Sequence, residues 1–460
     1  MHVWLGCAAA ALFGLFLAGQ RKADGTSTAS PLPNLLDRDR LWPPDLSKPL
    51  CELRVFVHAL PDELSLSLEQ RSRCRWSAYN SELILEDLLR NQSSNLLPHV
   101  SIVASPEHAD VFFVPLAGAC YLFNCWVDNG WNQTERCNVD EDYVQPIMSY
   151  ITQQDSWIAN EGKNYIIPHP MDRSDSYYSD QSRISMNSSI YLVTNGDLRP
   201  KPHSAFYRRH RDLAIPSSTH LLHSYYVNPR DYLDSQGTPY RYPRASPYEV
   251  LQARSMAELS KPMSLMHAWP LDLLKRKSKR YNTVVFRGGR GRENDGEKYG
   301  LGIRELFFDP ASRGRSRTLR KHRAFSSLPG WDIASASEND DYARALSVAK
   351  FGLVPPGYTL DTTRLWEYLA FGVVPVFIGT GRRAGQVLPF QDDFDYDSFS
   401  LFVSRNEAHR LPDILAEISD ERYERMRRET WEIGRLLVLE QRHGHVWKWT
   451  ARDLCRIIRK

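Results

Sequence analysis

The thirty residues from 350 to 379, KFGLVPPGYTLDTTRLWEYLAFGVVPVFIG, constrain the fold of this chain more than any other stretch. An apolar run over 351–354 ends at two prolines and Gly357, which is the pattern of a strand that stops in a turn. A helix is predicted to follow and to end at Gly372 in a left-handed cap, before a second buried strand over 373–378. Such a unit is typical of an α/β protein with parallel strands.

The loop inside this unit is predicted to bind an anion. Backbone N–H groups and the positive end of the helix dipole meet there, which suits a phosphate or diphosphate. Thr362 and Thr363 offer hydroxyls that could cap the helix. Glu367 lies four residues after Thr363, on the same helical face, where its carboxylate could accept hydrogen bonds from two ribose hydroxyls. The open alternative is an ion pair between Glu367 and Arg364 at the surface.

A second glycine loop lies in VVFRGGRGR, residues 284–292. A strand that runs into Arg287, Gly288 and Gly289 lets the backbone approach an anion closely and adds a guanidinium group. An ordinary turn is the alternative for this loop alone. If both loops lie at the carboxyl ends of strands in one sheet, they face one crevice. Neither loop matches a Walker or G-x-G-x-x-G motif.

The rest of the chain continues the alternation of strands and helices. A helix is predicted near 79–89, with Glu82, Glu86 and Asp87 facing outward and Leu83, Leu85 and Leu88 packing inward. The 460 residues favour two domains, with 197–265 as the crossing and a charged, helical, solvated segment over 418–460. The predicted strands are 53–60, 100–104, 109–114, 165–167, 189–193, 283–286, 331–335, 351–354, 373–378 and 400–403.

The N-terminus predicts entry into the secretory pathway. Residues 3–19 form an uncharged apolar run that suits a signal peptide or a short membrane anchor, and 22–50 read as a stem. Sequons for N-glycosylation begin at Asn91, Asn132 and Asn187, which agrees with that location. The net charge of +3 gives no sign of a nucleic-acid partner.

The cysteines favour disulfides over a metal site. Six of them lie beyond the apolar run, and their spacing does not suit zinc, so disulfides of unknown connectivity are predicted; they are Cys51, Cys74, Cys120, Cys125, Cys137 and Cys455. The acidic loop 391–399, QDDFDYDSF, resembles a divalent-cation site but is interpreted as a solvent loop. No metal cofactor is therefore expected.

Several segments resemble one enzyme family in the right order. They are RVFVHALP at 54–61, PEHADVFFVP at 106–115, SWIANEGKNYIIPHP at 156–170, RDLAIP at 211–216, the block 342–379 and LPFQDDFDYDSFSLFV at 388–403. Over roughly 53–430 the chain resembles the exostosin-type glycosyltransferases of family 47. The resemblance implies a GT-B fold, with two Rossmann-like domains facing a central cleft. It predicts an acceptor domain over 51–260, a nucleotide-sugar domain over 261–435 and a helical tail over 436–460.

The resemblance also implies an activity. These enzymes transfer a sugar from a nucleotide donor, typically UDP-linked, with inversion and without a metal ion. The acceptor would be a glycan or glycoprotein, and the location a Golgi membrane, or outside the cell if residues 1–19 are cleaved. The implied donor-binding residues are Arg287, Gly288, Gly289, Gly357, Thr362, Thr363, Arg364 and Glu367.

An inverting reaction needs a base to deprotonate the acceptor hydroxyl. His58, Asp128, His169 and Asp172 are candidates. Relatives carry a His-Asp pair after the strand equivalent to 164–168, whereas here Met171 and Asp172 stand there and His169 is displaced by two positions. Asp172 and His169 are the residues selected. The displacement keeps open an inert relative that binds glycans or serves as a partner subunit, in a homodimer or a heterodimer.

Overall fold

Two parallel β-sheets organise the computed structural model of the chain. The residues it describes are 51–74, 81–90, 100–129, 137–169, 177–194, 196–199, 207–218, 280, 282–289, 299–308, 324–334, 345–346, 348–437 and 446–459. The strands are β1 (Leu53–Val57), β2 (Val100–Ile102), β3 (Val111–Phe113), β4 (Tyr165–His169), β5 (Ile190–Val193), β6 (Gly196–Asp197), β7 (Leu213–Ala214), β8 (Asn282–Arg287), β9 (Trp331–Ala334), β10 (Ala349–Val354), β11 (Val374–Ile378), β12 (Gln386–Val387) and β13 (Leu401–Val403).

The helices alternate with these strands. They are α1 (Leu68–Cys74), α2 (Ser81–Arg90), α3 (Gly118–Asp128), α4 (Gln145–Ile151), α5 (Asp155–Asn160), α6 (Asp180–Ser185), α7 (Arg364–Phe371), α8 (Tyr396–Phe399), α9 (Leu411–Ala416), α10 (Asp420–Leu437) and α11 (Val446–Ile458). A π-helical segment, Asp140–Val144, leads into α4. Short 3-10 segments are Asp62–Leu64, Pro106–His108, Gly300–Leu306, Phe325–Ser327, Arg382–Ala384 and Arg405–Arg410.

Both sheets have the same topology. The first has the order β2-β1-β3-β4-β5-β7, the second β13-β11-β10-β8-β9, and all of these strand pairs are parallel. In each, the second strand lies on one side of the first and the later strands lie on the other. The doubly wound order confirms the predicted α/β class and the two Rossmann-like halves of a GT-B protein. The strand order reverses between β1 and β3, and between β8 and β10, where crevices open beyond the carboxyl ends.

The centre of the second sheet shows why the sequence signal was strong. Strand β10 pairs with β8 and β11, so its apolar run is buried on both faces, as is usual for parallel strands. Tyr368 of α7 lies flat over Gly352, where an added Cβ would come 2.6 Å from the ring. Its hydroxyl donates to the carbonyl of Leu353 at 3.1 Å. These contacts fix α7 against β10.

Strand and helix contacts among the described residues join the first half of the chain to the second. Strands β6 and β12 form a short antiparallel pair, with Gly196 opposite Val387. Helix α11 buries Trp447, whose indole N–H donates to the carbonyl of Leu85 in α2 at 3.1 Å. The segment 418–460, which is predicted to be charged and solvated, therefore includes a buried tryptophan that contacts the first half of the chain. The predicted domain boundary near 260 falls outside the described residues.

The disulfide prediction is confirmed, and the structure adds the connectivity. Cys51 pairs with Cys455, Cys74 with Cys120, and Cys125 with Cys137. The first of these joins the start of β1 to α11 across 404 residues of chain. Within the described ranges, no helix is long and apolar enough to cross a membrane. The apolar run 3–19 lies outside those ranges.

The outward orientation predicted for two carboxylates of α2 is wrong. Glu82 is buried and accepts the backbone N–H of Cys120 at 2.7 Å, in the first turn of α3. A helix N-terminus leaves such amides without intrahelical partners, and it attracts a carboxylate. Glu86 is also buried and pairs with Arg71 and Arg90 at 3.0 and 2.8 Å. Burial raises the pKa of Glu82 well above its usual range.

Candidate functional site

The two glycine loops leave the same edge of the second sheet. Strand β8 ends at Arg287 and is followed by Gly288 and Gly289, while β10 ends at Val354 before the loop that contains Gly357. Because β8 and β10 are neighbours, both loops flank the point where the strand order reverses. The expectation that they would lie at the carboxyl ends of strands in one sheet is confirmed.

Arg364, the first residue of α7, reaches across to the β8 loop. Its Nε donates to the carbonyl of Arg287, and its Nη1 lies 3.3 Å from Oγ1 of Thr362. At Gly288 an added Cβ would come 2.5 Å from Nη2 of Arg364, so glycine is what leaves room for the guanidinium. Among the contacts that the structure gives for the described residues, none is an ion pair between Arg364 and Glu367. That alternative for Glu367 is therefore not observed.

Arg304 is a site residue that sequence reasoning missed. It lies on the 3-10 segment Gly300–Leu306 and is only 3% exposed. Its Nε donates to the carbonyl of Pro356 at 2.8 Å, and its Nη1 to the carbonyl of Gly289, also at 2.8 Å. Nη1 also donates to the hydroxyl of Tyr299 at 2.7 Å. Arg304 thus ties one glycine loop to the other.

Arg304 and Arg364 form a cationic pair. Their guanidinium carbons lie 5.4 and 5.2 Å from the centre of the Phe286 ring. Burial and the charge of Arg364 lower the pKa of Arg304 to about 10. Among the described residues, neither arginine forms an ion pair with a carboxylate. Buried charges are normally paired, so the arrangement favours an anionic ligand.

Arg287 differs from this pair. Its guanidinium forms an ion pair with Asp332 at 2.6 Å and donates to the carbonyl of the same residue at 3.0 Å. Its positive charge is therefore balanced by the neighbouring strand β9. What Arg287 contributes to the loop in this structure is the carbonyl that accepts from Arg364.

The N-terminus of α7 differs in detail from the prediction. Thr363 is the capping residue, but no side-chain hydroxyl caps the helix, so that expectation is wrong. The hydroxyl of Thr362 accepts from Arg364, while the N–H of Leu365 and Trp366 donate to the carbonyls of Thr362 and Thr363. This tight first turn satisfies amides that a hydroxyl would otherwise cap.

The other predicted features of this unit are placed as follows. Gly372 ends α7 in the left-handed conformation with φ of 61°, which confirms the predicted cap. The N–H of Gly357 donates to the carbonyl of Thr359 at 2.9 Å, so this amide already has a partner. Glu367 lies in the first turn of α7 and is 7% exposed.

The candidate bases of the first sheet are buried. His58 follows β1 and stacks on Tyr165, with ring centres 5.4 Å apart. Burial lowers the pKa of His58 to about 4. His169 ends β4 with Nδ1 3.3 Å from the hydroxyl of Tyr178, and its ring packs edge-on against Tyr191. Burial and the charge of Arg208 lower the pKa of His169 to about 3.

The two carboxylate candidates differ in placement. Asp128 ends α3, is exposed and pairs with Arg73 at 2.6 Å. Asp172 lies outside the described residues. The structure therefore places His58 and His169 near carboxyl ends of the first sheet and leaves Asp128 at the surface.

Three carboxylates of the acidic loop have structural partners. Asp393 pairs with Arg456 and Arg452 of α11 at 2.8 and 3.2 Å. Asp395 caps α8 by accepting the N–H of Asp397 at 3.2 Å, and the carboxylate of Asp397 pairs with Arg382. In the described ranges no group of three or more His, Cys, Asp or Glu side chains could hold a metal ion.

Comparison with known proteins identifies the family to which the chain is similar. The chain matches the model of the exostosin GT47 domain over residues 50–241 and 249–418. It is 22% identical to a protein of Oryza sativa subsp. japonica named as a probable glucuronosyltransferase, over 80% of this chain and 71% of that protein. It is 23% identical to the probable arabinosyltransferase ARAD1 of Arabidopsis thaliana, over 76% of this chain and 63% of that protein.

One solved structure that resembles the chain is Anabaena HepE in complex with UDP-glucose. The identity is 9%, the TM-score 0.32, and the match covers 84% of this chain and 95% of that one. This likeness is too distant to support any argument about the site. The match to the family model, in contrast, covers most of the chain. The chain belongs to the exostosin GT47 family of glycosyltransferases.

Proposed function

We propose that this chain transfers a sugar from a UDP-sugar to a hydroxyl of a glycan or glycoprotein, with inversion and without a metal ion. The observation that carries the proposal is the cationic pair Arg304 and Arg364 between the two glycine loops, with no carboxylate partner among the described residues. The family indicates the class of reaction, and the two guanidinium groups supply positive charge for the diphosphate leaving group.

In this proposal the diphosphate binds between the loops at 287–289 and 355–363. Two guanidinium groups and the N-terminal end of α7 stabilise the negative charge that develops as the bond to the sugar breaks. In this proposal these positive groups take the role that a divalent cation has in other phosphate sites. Gly288, Gly289 and Gly357 allow the backbone to approach the phosphates, and Thr362 and Thr363 lie at the mouth of the loop.

Glu367 is the proposed ribose ligand. A carboxylate in the first turn of α7 can accept hydrogen bonds from both ribose hydroxyls. Arg287 has a supporting role, since its carbonyl orients Arg364 while Asp332 balances its charge. We propose a uridine nucleotide because the donors of this family are typically UDP-linked.

The proposed base comes from the first half of the chain. Asp172 and His169 remain the candidate pair, and because His169 is buried against Tyr178 and Tyr191, we expect Asp172 to touch the acceptor. The acceptor oxygen attacks the anomeric carbon on the face opposite the diphosphate. The proton of the acceptor passes to the base, and the electrons of the broken C–O bond leave with the diphosphate.

We place this activity in the secretory pathway, with a Golgi membrane as the proposed site. Three disulfides suit an oxidising compartment, and the apolar run 3–19 can act as a signal peptide or an anchor. The transferred sugar would then be added to a polysaccharide or glycoprotein that is assembled in the lumen.

Thermal unfolding tests the donor site. Purified protein is heated with UDP and with a panel of UDP-sugars, each with and without EDTA, since a ligand of the folded state raises the melting temperature. We expect a shift with UDP that survives EDTA, and the largest shift identifies the donor to use in a transfer assay with product anomers read by NMR. No shift with any nucleotide would instead favour an inert partner subunit.

A further inference from the structure

The turn between α6 and β5 carries one of the sequons, Asn187-Ser188-Ser189. Asn187 is exposed, and its backbone N–H donates to the carbonyl of Ile184 at 3.2 Å, so it follows the last turn of α6 directly. Its side chain is therefore held at the surface by an ordered turn. The acceptor residue of the sequon is accessible in the folded protein.

The hydroxyl of Ser189 has no structural partner. Ser189 is fully buried, and its Oγ forms no hydrogen bond. Its backbone, in contrast, is satisfied, because its N–H donates to Met186 at 2.9 Å and its carbonyl accepts from Arg208 at 2.6 Å. An unsatisfied buried polar group costs about 1–3 kcal/mol, and alanine would keep both backbone contacts. The hydrogen bonds around Ser189 therefore give no reason for a hydroxyl at this position.

A sequon does give such a reason, because its third residue must be serine or threonine. The transferring enzyme reads this hydroxyl in the extended chain before folding buries it. Asn187 in an exposed turn and Ser189 with an unused buried hydroxyl are thus two independent features that agree with one modification.

Apolar surface lies beside this turn. Ile184 of α6 and Ile158 of α5 are 75% and 63% exposed. The hydroxyl of Ser188 donates to the carbonyl of Glu161, and the N–H of Glu161 donates to that of Ile158. These bonds bring the ends of α5 and α6 together, and each isoleucine lies about one helical turn before this contact.

We propose that Asn187 carries an N-linked oligosaccharide, and that the carbohydrate covers the apolar surface formed by Ile158 and Ile184. The inference rests on the proposed location in the secretory pathway. The side-chain amide nitrogen of Asn187 forms a bond to C1 of an oligosaccharide carried on a lipid diphosphate. The bond from C1 to the diphosphate oxygen breaks, the lipid diphosphate leaves with that electron pair, and the amide proton passes to a base of the transferring enzyme.

Site occupancy in the full chain, expressed in cultured eukaryotic cells, tests the inference. Peptides are analysed by mass spectrometry after enzymatic deglycosylation in ¹⁸O water, which marks each occupied Asn as ¹⁸O-labelled Asp. We expect the label at Asn187, and its loss in Asn187→Gln and Ser189→Ala but not in Ser189→Thr. Label at Asn91 or Asn132 with none at Asn187 would overturn the inference and leave the location standing. No label at any sequon would contradict both.

Two further measurements separate a glycan role from a structural one. After deglycosylation, Ser189→Ala and the parent protein are expected to melt at the same temperature, or the variant higher; a clear fall would show that the hydroxyl is structural. Asn187→Gln is expected to bind a hydrophobic dye more strongly than the glycosylated parent, and adding Ile158→Ser and Ile184→Ser should reverse this. Equal dye binding by parent and Asn187→Gln would contradict the covering role.

Discussion

The two sheets share one topology but differ in the charge at their carboxyl edges. Beyond β8 and β10 of the second sheet lie Arg304 and Arg364, two cations that no described carboxylate neutralises. Beyond β1 and at the end of β4 of the first sheet lie His58 and His169, buried imidazoles whose pKa values are lowered to about 4 and about 3. The first of these edges presents cations to an anion, whereas the two histidines of the other edge are neutral at physiological pH.

This difference matches the division of labour in a glycosyl transfer. The donor contributes a diphosphate, which positive charge stabilises. The acceptor hydroxyl is neutral and needs a base to remove its proton and a binding surface that fits the acceptor. The shared topology does not determine these roles, because function depends on the side chains that a fold presents. Each prediction below alters one edge and leaves the other in place.

The largest effect is expected for Arg304→Lys. Lysine cannot reproduce the contacts of Arg304 with Pro356, Gly289 and Tyr299, so the loops lose their link and the site loses a fixed charge. Truncating one partner of a buried charged contact costs about 2–5 kcal/mol, so we expect UDP affinity to fall by about 30-fold or more. Isothermal titration calorimetry measures this.

Arg280→Lys is the matched control. Arg280 is partly buried, also has a pKa lowered to about 10, and donates to the carbonyls of Leu346, Ala349 and Phe371. The control should lower the melting temperature while the folded protein keeps its UDP affinity. If both variants lost UDP binding equally, the effect at Arg304 would be a general consequence of losing a buried arginine.

Glu367→Gln is expected to have the next largest effect. Hydrogen bonds to a charged group contribute about 1.5–3 kcal/mol, so the proposed ribose contact should account for about tenfold or more in UDP affinity. The parent should also bind 2′-deoxy-UDP more weakly than UDP, and the variant should discriminate less. Undiminished discrimination in Glu367→Gln would assign the ribose contact to another residue.

Gly288→Ala should act on the donor edge alone, with a smaller loss. The new Cβ would displace Nη2 of Arg364, which lies 2.5 Å from its position, and overpacking of this kind costs about 1–3 kcal/mol. We expect UDP affinity to fall by about fivefold or more. Gly352→Ala, which would press on the Tyr368 ring instead, should lower the melting temperature and serve as the contrast. Unchanged affinity in Gly288→Ala would place the diphosphate elsewhere.

The smallest effect on UDP affinity is expected at His58 of the first sheet, where the measurable change is in stability. The pKa of His58 is about 4 in the folded state and about 6.5 when exposed. The unfolded state therefore binds more protons between these values, and stability falls as the pH drops from 6.5 to 4. In His58→Phe this loss disappears, so the stability of the variant relative to the parent should rise by about 1.4 kcal/mol per pH unit on acidification. Denaturant unfolding from pH 7 to 4 measures the difference, and a pH-independent difference would show that His58 is not held neutral.

The fold was more predictable than the site because burial leaves a local pattern. Parallel strands covered on both faces read as unbroken apolar runs, so β10 and β11 could be placed from the sequence. Gly372 could be assigned because a left-handed cap favours glycine, which has no Cβ. These features depend on neighbouring residues alone.

The missed features depend on residues that are distant in sequence. Arg304 bonds to carbonyls 52 and 15 residues away, and no local spacing indicates that its cation will be buried. The amphipathic pattern of α2 predicts an outward orientation for Glu82. In the structure its carboxylate instead accepts the backbone N–H groups of Ala119 and Cys120, 37 and 38 residues later, at the N-terminus of α3. The predicted hydroxyl caps are a local exception: they are absent because the amides of Leu365 and Trp366 donate to the backbone carbonyls of Thr362 and Thr363 instead.

The central claim is that the carboxyl edge of the second sheet binds a nucleotide diphosphate through arginine and without metal. Calorimetric titration of UDP, UMP and uridine in the presence of EDTA tests it most directly. We predict that affinity rises from uridine to UMP to UDP, and that Arg304→Lys removes most of the gain from the phosphates. Equal affinities for the three ligands, or UDP binding that EDTA abolishes, would contradict the claim.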